Sequence, residues 1–208
     1  VLRKAKLDAG PRMFSAAELR KIIAAAPIPL RAMILLAINV GLGNRDVASL
    51  PFSALELDAG TLNYPRAKTA VPRRAPLWPE TVQAIREAVE CRPEPANPDH
   101  ADLVFITRQR LPFVKHSTAD KAAWTDSVGL AFGKLLRSLA LKRPGLNFYA
   151  LRHTFRTVAD NSRDQPAVNF IMGHAPDASD MRAVYTESIA DARLRAVTNV
   201  VHDWLFAM

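Results

Sequence analysis

Residues 148 to 158 set a guanidinium fork, a phenol and an imidazole along one stripe of a helix. Tyr149, Arg152, His153 and Arg156 recur at helical spacing and so share a face. Arginine offers coplanar N–H donors that match the oxygens of a phosphate, and a second arginine follows one turn on. Phe148, Leu151, Phe155 and Val158, at spacings of 3, 4 and 3, make a neighbouring apolar stripe for a core. Alone, this stretch also reads as a surface helix with two arginines. A second basic site lies upstream. Arg66, Lys68, Arg73 and Arg74 put four positive charges and no negative one within nine residues. They suit either an edge hairpin kept soluble by charge or a hairpin lying on DNA.

Leu-Arg-His-Thr-Phe at 151 to 155, Gly-His at 173 and 174, and Tyr185 after them resemble the catalytic domain of tyrosine recombinases, the phage-type integrases. The family pattern is His-x-x-Arg on a helix, a Gly-His, and then a nucleophilic Tyr. By that resemblance Arg152 is the pattern's arginine and His174 its Gly-His histidine. Tyr185, eleven residues beyond His174, is the nucleophile. Lys68-Thr69 matches the Lys-Thr pair on the family's hairpin, which implies that Lys68 is the general acid. The implied reaction is attack by Tyr185 on a DNA phosphodiester, giving a 3′-phosphotyrosine and a free 5′-hydroxyl that rejoin without ATP. Arg152 and His174 would donate to the phosphoryl oxygens, and Lys68 would protonate the leaving oxygen. Taken singly, Tyr185 reads equally as a buried aromatic, His174 as a helix cap and Lys68 as a solvated charge; their order carries the resemblance.

Two positions depart from the pattern. Tyr149 stands where the family has its first His. A phenol also donates, but it stays neutral and shuttles no proton near neutral pH. The family's first Arg lies in Gly-Leu-Arg-x-x-Glu-Leu, whereas this chain has Gly41-Leu42-Gly43-Asn44-Arg45-Asp46-Val47. Gly43 takes the arginine's place, and Arg45, two residues late, is the candidate replacement. The expected catalytic set is therefore Tyr185, Arg152, His174, Lys68, Arg45 and Tyr149, with Arg66, Arg73, Arg74 and Arg156 on DNA. No Asp/Glu/His group at metal-ligand spacing accompanies them, so neither metal nor cofactor is expected. The expected function is site-specific recombination or integration on double-stranded DNA. The alternatives are a degenerate, DNA-binding member without strand transfer and a helical protein–protein module.

Composition bounds these readings. The chain has 208 residues, 28 Lys and Arg against 20 Asp and Glu, and a formal charge of +8. Such a bias favours a polyanionic partner. Cys91 is the only cysteine, so no internal disulfide and no thiolate zinc cluster can form, and a reducing cytoplasm fits. The longest apolar run, Ala32 to Leu42, is interrupted by Asn39 and too short to span a bilayer.

The positioning elements follow from capping and periodicity. Residues 1 to 13 read as a basic linker, and 14 to 208 as one catalytic domain, mainly α-helical with a small antiparallel sheet. The additional N-terminal DNA-gripping domain usual in the family is expected to be missing from this stretch, as in a piece of a longer chain. Ser15 to Glu18 is a capping box for a helix ending near Ala26. Leu30 to Val40 is apolar nearly all round, and Asn44 would cap a short helix from Arg45 to Leu50. Strands are expected at Leu55 to Leu57, Thr61 to Tyr64 and Val71 to Leu77, with another short one at Leu103 to Phe105. Trp78-Pro79 opens a helix to Cys91, and Thr107 to Asp126 reads as an irregular basic loop. Further helices are expected from Val128 to Leu139, from Asn147, over Pro166 to Met172, Met181 to Tyr185 and Ala190 to Phe206. The last carries an apolar stripe of Val197, Val200, Val201, Trp204 and Leu205. By the resemblance, that tail docks on a neighbouring protomer, giving a dimer to tetramer on DNA.

Overall fold

A computed structural model describes residues 12–66, 70–116, 124–174 and 188–207. Helix α1 (Ala16–Ala25) starts at the expected capping box: Ser15 Oγ accepts from the Glu18 N–H and the Glu18 carboxylate accepts from the Ser15 N–H. Helix α2 (Ile28–Val40) begins two residues earlier than its periodicity implied, because Pro29 falls in the first turn, where no N–H is needed. Leu30 and every residue from Ala32 to Val40 are buried. The apolar run's one polar residue has a structural job. Asn39 donates to the Pro76 carbonyl and accepts from the Trp78 N–H at 2.8 Å, tying α2 to the chain leaving the sheet.

Helix α3 (Asn44–Ala48) is capped by Gly43, not Asn44. The Asn44 amide instead donates across to Asp126, and Asp46 accepts from the Gly43 N–H at 3.0 Å. The sheet is antiparallel in the order β1 (Leu55–Glu56), β2 (Thr61–Asn63), β3 (Arg74–Pro76), with Leu62 opposite Ala75 and both buried in the core. These strands are shorter than their patterns implied, since prolines at 65, 72 and 76 limit the ladder. Helix α4 (Pro79–Glu90) follows and packs on α2.

Two expectations change in the middle of the chain. Leu103 makes only an isolated bridge to Pro51. The stretch expected to be an irregular loop contains a hairpin, β4 (Val114–His116) paired with β5 (Trp124–Asp126). Asp126 ends β5 and accepts from the Gly129 N–H, so it also caps α5 (Ser127–Ser138).

Helix α6 (Tyr149–Ala159) runs where the two stripes implied, and its apolar stripe lies in the core. Phe148 meets Phe132 edge to face, and Phe132 meets Phe14 likewise. Helix α7 (Gln165–Ile171) starts on Asp164, whose carboxylate accepts from the Ala167 N–H. Helix α8 (Asp191–Phe206) closes the domain over α6, β3, α1 and α7. Of the stripe offered to a neighbouring protomer, Val197, Val201 and Leu205 are fully buried in the core of its own chain, whereas Val200 and Trp204 are half-buried. Arg20 donates to the Leu205 carbonyl, and Trp78 Nε1 donates to that of Thr198. These partners hold the last turns in place and remove the fraying expected near a terminus. The expected helix at 181 to 185 and the basic linker's first eleven residues lie outside the described residues. Among the described residues no helix is long and apolar enough to cross a membrane.

Candidate functional site

Helices α3, α5 and α6 meet around an open cleft of about 600 Å³. Its walls include Gly43, Arg45, Arg66, Asp126, Tyr149 and Arg152. Arg152 lines it from α6. The helical stripe predicts a surface arginine, yet Arg152 is only 3 % exposed. One edge of its guanidinium is fixed by the Gly41 carbonyl and another by the Met172 carbonyl at 2.9 Å. Gly41 ends α2 with φ +68°, and a Cβ there would lie 2.8 Å from Phe155. Only glycine turns that carbonyl towards Arg152 without pushing α6 away. Burial, followed by the charge of Arg66, lowers the Arg152 pKa. An arginine nonetheless remains charged. A desolvated cation at a cleft wall favours an anion strongly, because little solvent screens it.

His174 follows. Its Nε2 lies 3.0 Å from Arg152 Nη2. A guanidinium only donates, so Nε2 accepts and the ring proton sits on Nδ1. Burial and the charges of Arg152, Arg66 and Arg156 push the His174 pKa down to about 4, which leaves the ring neutral at pH 7. An anion in the cleft would oppose those charges and raise it. The residue is held from behind: its N–H donates to the Asn169 carbonyl, and the Asn169 side chain accepts from Arg156.

The α3 side of the cleft is spare. Gly43 is buried, carries no side chain into the cleft and lies beside the Tyr149 ring. Tyr149 is 45 % exposed and packs edge to face on His153. Arg45 is exposed at the rim, in the first turn of α3. Two carboxylates face this cationic site, and each is countered. Asp46 is 3.5 Å from Arg73, and Asp126 accepts from Asn44 and from the Gly129 N–H.

A family model described as the phage integrase family matches residues 11–191. The chain belongs to the phage integrase family. Among solved structures, that of XerA recombinase is 20 % identical with a TM-score of 0.63, over 91 % of this chain and 65 % of that one. The Tn1549 transposon integrase in complex with transposon right end DNA is 18 % identical, TM-score 0.64, over 90 % and 66 %. A lambda integrase dimer bound to a COC′ core site is 18 % identical, TM-score 0.58, over 86 % and 61 %. The chain thus spans less than two thirds of the length of each. No curated protein matches it. The fold is the expected one, mainly helical with a small antiparallel sheet, as in these recombinases.

The expected site residues are only partly gathered by the described structure. Arg152, His174, Tyr149, Arg66 and Arg45 converge on or beside the cleft. Lys68 and Tyr185, the expected general acid and nucleophile, lie outside the described residues. Three of the four arginines expected on DNA have other partners. Arg73 is wholly buried: its Nε donates to the Tyr64 carbonyl, it stacks on the Tyr64 ring, and it is the counter-ion of Asp46, so it is no surface contact. Arg74 is ion-paired with Asp191 at the start of α8. Arg156 is shared among Asp160, Asn169 and Gln165, so it holds the loop that presents His174. Sequence reasoning missed Asn44, Asp126 and Asn147 in the cleft. Asp126 had a signal, an acidic residue just before an apolar-periodic segment; the other two had none. Among the described residues there is no group of three or more His, Cys, Asp or Glu side chains able to hold a metal ion.

Proposed function

We propose that this chain is the catalytic part of a site-specific DNA recombinase that cleaves and rejoins double-stranded DNA in the cytoplasm through a 3′-phosphotyrosine. The observation that carries the reading is Arg152, a buried guanidinium fixed by two carbonyls at the wall of an open cleft and adjoined by His174. Tyr185 Oη attacks the scissile phosphorus while the P–O5′ bond breaks. The phenol's proton passes to solvent as Oη attacks, the Lys68 ammonium protonates the departing 5′-oxygen, and solvent returns a proton to Lys68, so the count balances. Arg152 and the His174 Nδ1–H donate to the non-bridging oxygens, on which charge accumulates. The 5′-hydroxyl returns to the phosphotyrosine by the reverse step. Neither metal nor cofactor enters this scheme. The chain on either side of Lys68 supports the acid's place. The Ala70 N–H donates to the Arg66 carbonyl at 2.8 Å, and Arg66 lines the cleft. Dimers to tetramers assemble on DNA, with the half-buried Val200 and Trp204 the part of the α8 stripe left for a neighbouring protomer.

A pool of nicked duplexes of randomised sequence, in which cleavage releases a short strand and blocks rejoining, tests the reading. The parent protein should form covalent adducts that resist denaturation, and Tyr185→Phe should form none while binding DNA within a few-fold of the parent. Adducts that persist in Tyr185→Phe, or none in the parent, contradict it. The latter result, with DNA binding intact, would support the second reading, a DNA-binding member without strand transfer. Gly43 and Tyr149 favour that reading, because together they remove one guanidinium and one imidazole from the site.

A further inference from the structure

We infer that Arg66 supplies the second guanidinium of the phosphate site, in place of the side chain that Gly43 lacks. The inference rests on the strand-transfer reading above and names the group that completes it. Arg66 lines the same cleft as Gly43, Tyr149 and Arg152. Its backbone is pinned on both sides, with its N–H on the Val71 carbonyl at 2.9 Å and its carbonyl on the Ala70 N–H. Its aliphatic stem lies along Gly173, where a Cβ would come within 2.9 Å of Arg66 Cβ and 3.4 Å of its Cδ. Gly173 has φ +63° and immediately precedes His174. The loop that presents the histidine therefore also seats the arginine, and glycine is needed there both for the turn and for the approach.

Charge places Arg66 near the reacting centre as well. It is among the charges that lower the pKa of Arg152 and of His174. Arg73, Arg74 and Arg156 are each held by a carboxylate. Arg66 is in no ion pair among the described residues. Two like charges held around one cleft repel until an anion arrives, and the repulsion is relieved most when the phosphoryl group carries its greatest charge. Arg66 is thereby a candidate for transition-state contact, not only for holding the DNA backbone.

The test uses the whole chain and the duplex recovered by adduct formation, in single-turnover cleavage. Arg66→Ala should slow cleavage by about 10²-fold and change affinity by no more than a few-fold. With a methylphosphonate at the scissile position, one negative charge is gone, and Arg66→Ala should fall within about threefold of the parent. Equal losses on both substrates, or a loss carried wholly by affinity, overturn the inference. A second readout needs no activity. His174, followed by NMR, should titrate at about 4 in the parent and higher in Arg66→Ala, because a nearby cation has been removed. An unmoved His174 overturns the placement whatever the activity. A parent without adducts contradicts the strand-transfer reading, and the catalytic part of this inference with it.

Discussion

The two walls of the cleft are built in opposite ways. On the α6 wall Arg152 is desolvated, its guanidinium is gripped by the ends of α2 and α7, and His174 abuts it. On the α3 wall Gly43 presents only backbone and Arg45 lies at the rim, while Tyr149, one turn before Arg152 on α6, stands half in solvent. A donor already held in position costs no reorganisation when charge develops, whereas a flexible exposed arginine must be ordered first. On the function proposed above, phosphate recognition falls to the rigid wall, and the inferred role of Arg66 is to complete the other from the hairpin. The contrast also separates two kinds of arginine. Arg152 ties two helix ends together and also lines the cleft; Arg73 is wholly buried and bonds only within the fold.

The largest effect expected from this contrast is at Arg152. Arg152→Ala should lower the cleavage rate by at least about 10³-fold. It should also leave the Gly41 and Met172 carbonyls without their donor, at about 1–3 kcal/mol each. Arg152→Lys should not restore the rate, since an ammonium cannot reach two carbonyls and a phosphate from one planar fork. Single-turnover rates together with urea unfolding check both parts, and near-parental cleavage by either variant would break the comparison.

Next is the buried pair. Arg73→Met leaves Asp46 without its counter-ion and should destabilise the fold by about 3–5 kcal/mol, measured by urea unfolding. If the variant is as stable as the parent, Arg73 is not the core cation described here. A smaller effect sharpens the spare wall. Gly43 has φ −89° and ψ 175°, which any residue adopts, and a Cβ there meets nothing closer than 3.6 Å. Gly43→Arg should therefore fold, raise cleavage less than about tenfold in the parent, and recover most of the roughly 10²-fold lost in Arg66→Ala. Failure to recover would mean that the two guanidinia do not serve one site. The smallest effect is at Arg74, whose pair with Asp191 is about half exposed. Arg74→Ala should cost less than about 1 kcal/mol in the same unfolding measurement.

What the sequence made legible follows from what local rules encode. The capping box at Ser15, the apolar run of α2 and the two stripes of α6 appear where their patterns placed them, because each is set by neighbouring residues. The β4–β5 hairpin was hidden, since its strands are three residues long and lack alternation. At the site, residue types and order pointed to Arg152 and His174, but not to their burial. Burial of Arg152 depends on carbonyls donated by Gly41 and Met172, which lie far from it in sequence. Arg73 and Arg66 look alike in a basic hairpin. Only the packing of Tyr64 and Asp46 against one, and of Gly173 against the other, divides core cation from cleft cation. That Val197, Val201 and Leu205 of the α8 stripe are core of their own chain was not legible, because a terminal helix carries no local sign of what caps its last turn.

The chain has three tyrosines, Tyr64, Tyr149 and Tyr185, and Tyr149 stands in the cleft itself. Identifying which of them carries the DNA tests the central claim most directly. The parent is trapped on nicked duplex, digested with nuclease and trypsin, and its peptides are sequenced by mass spectrometry. The account predicts a nucleotide phosphoryl group on Tyr185, in the peptide spanning residues 183–193. A label on Tyr149 or Tyr64, or no labelled tyrosine in a protein that binds the duplex, would contradict it.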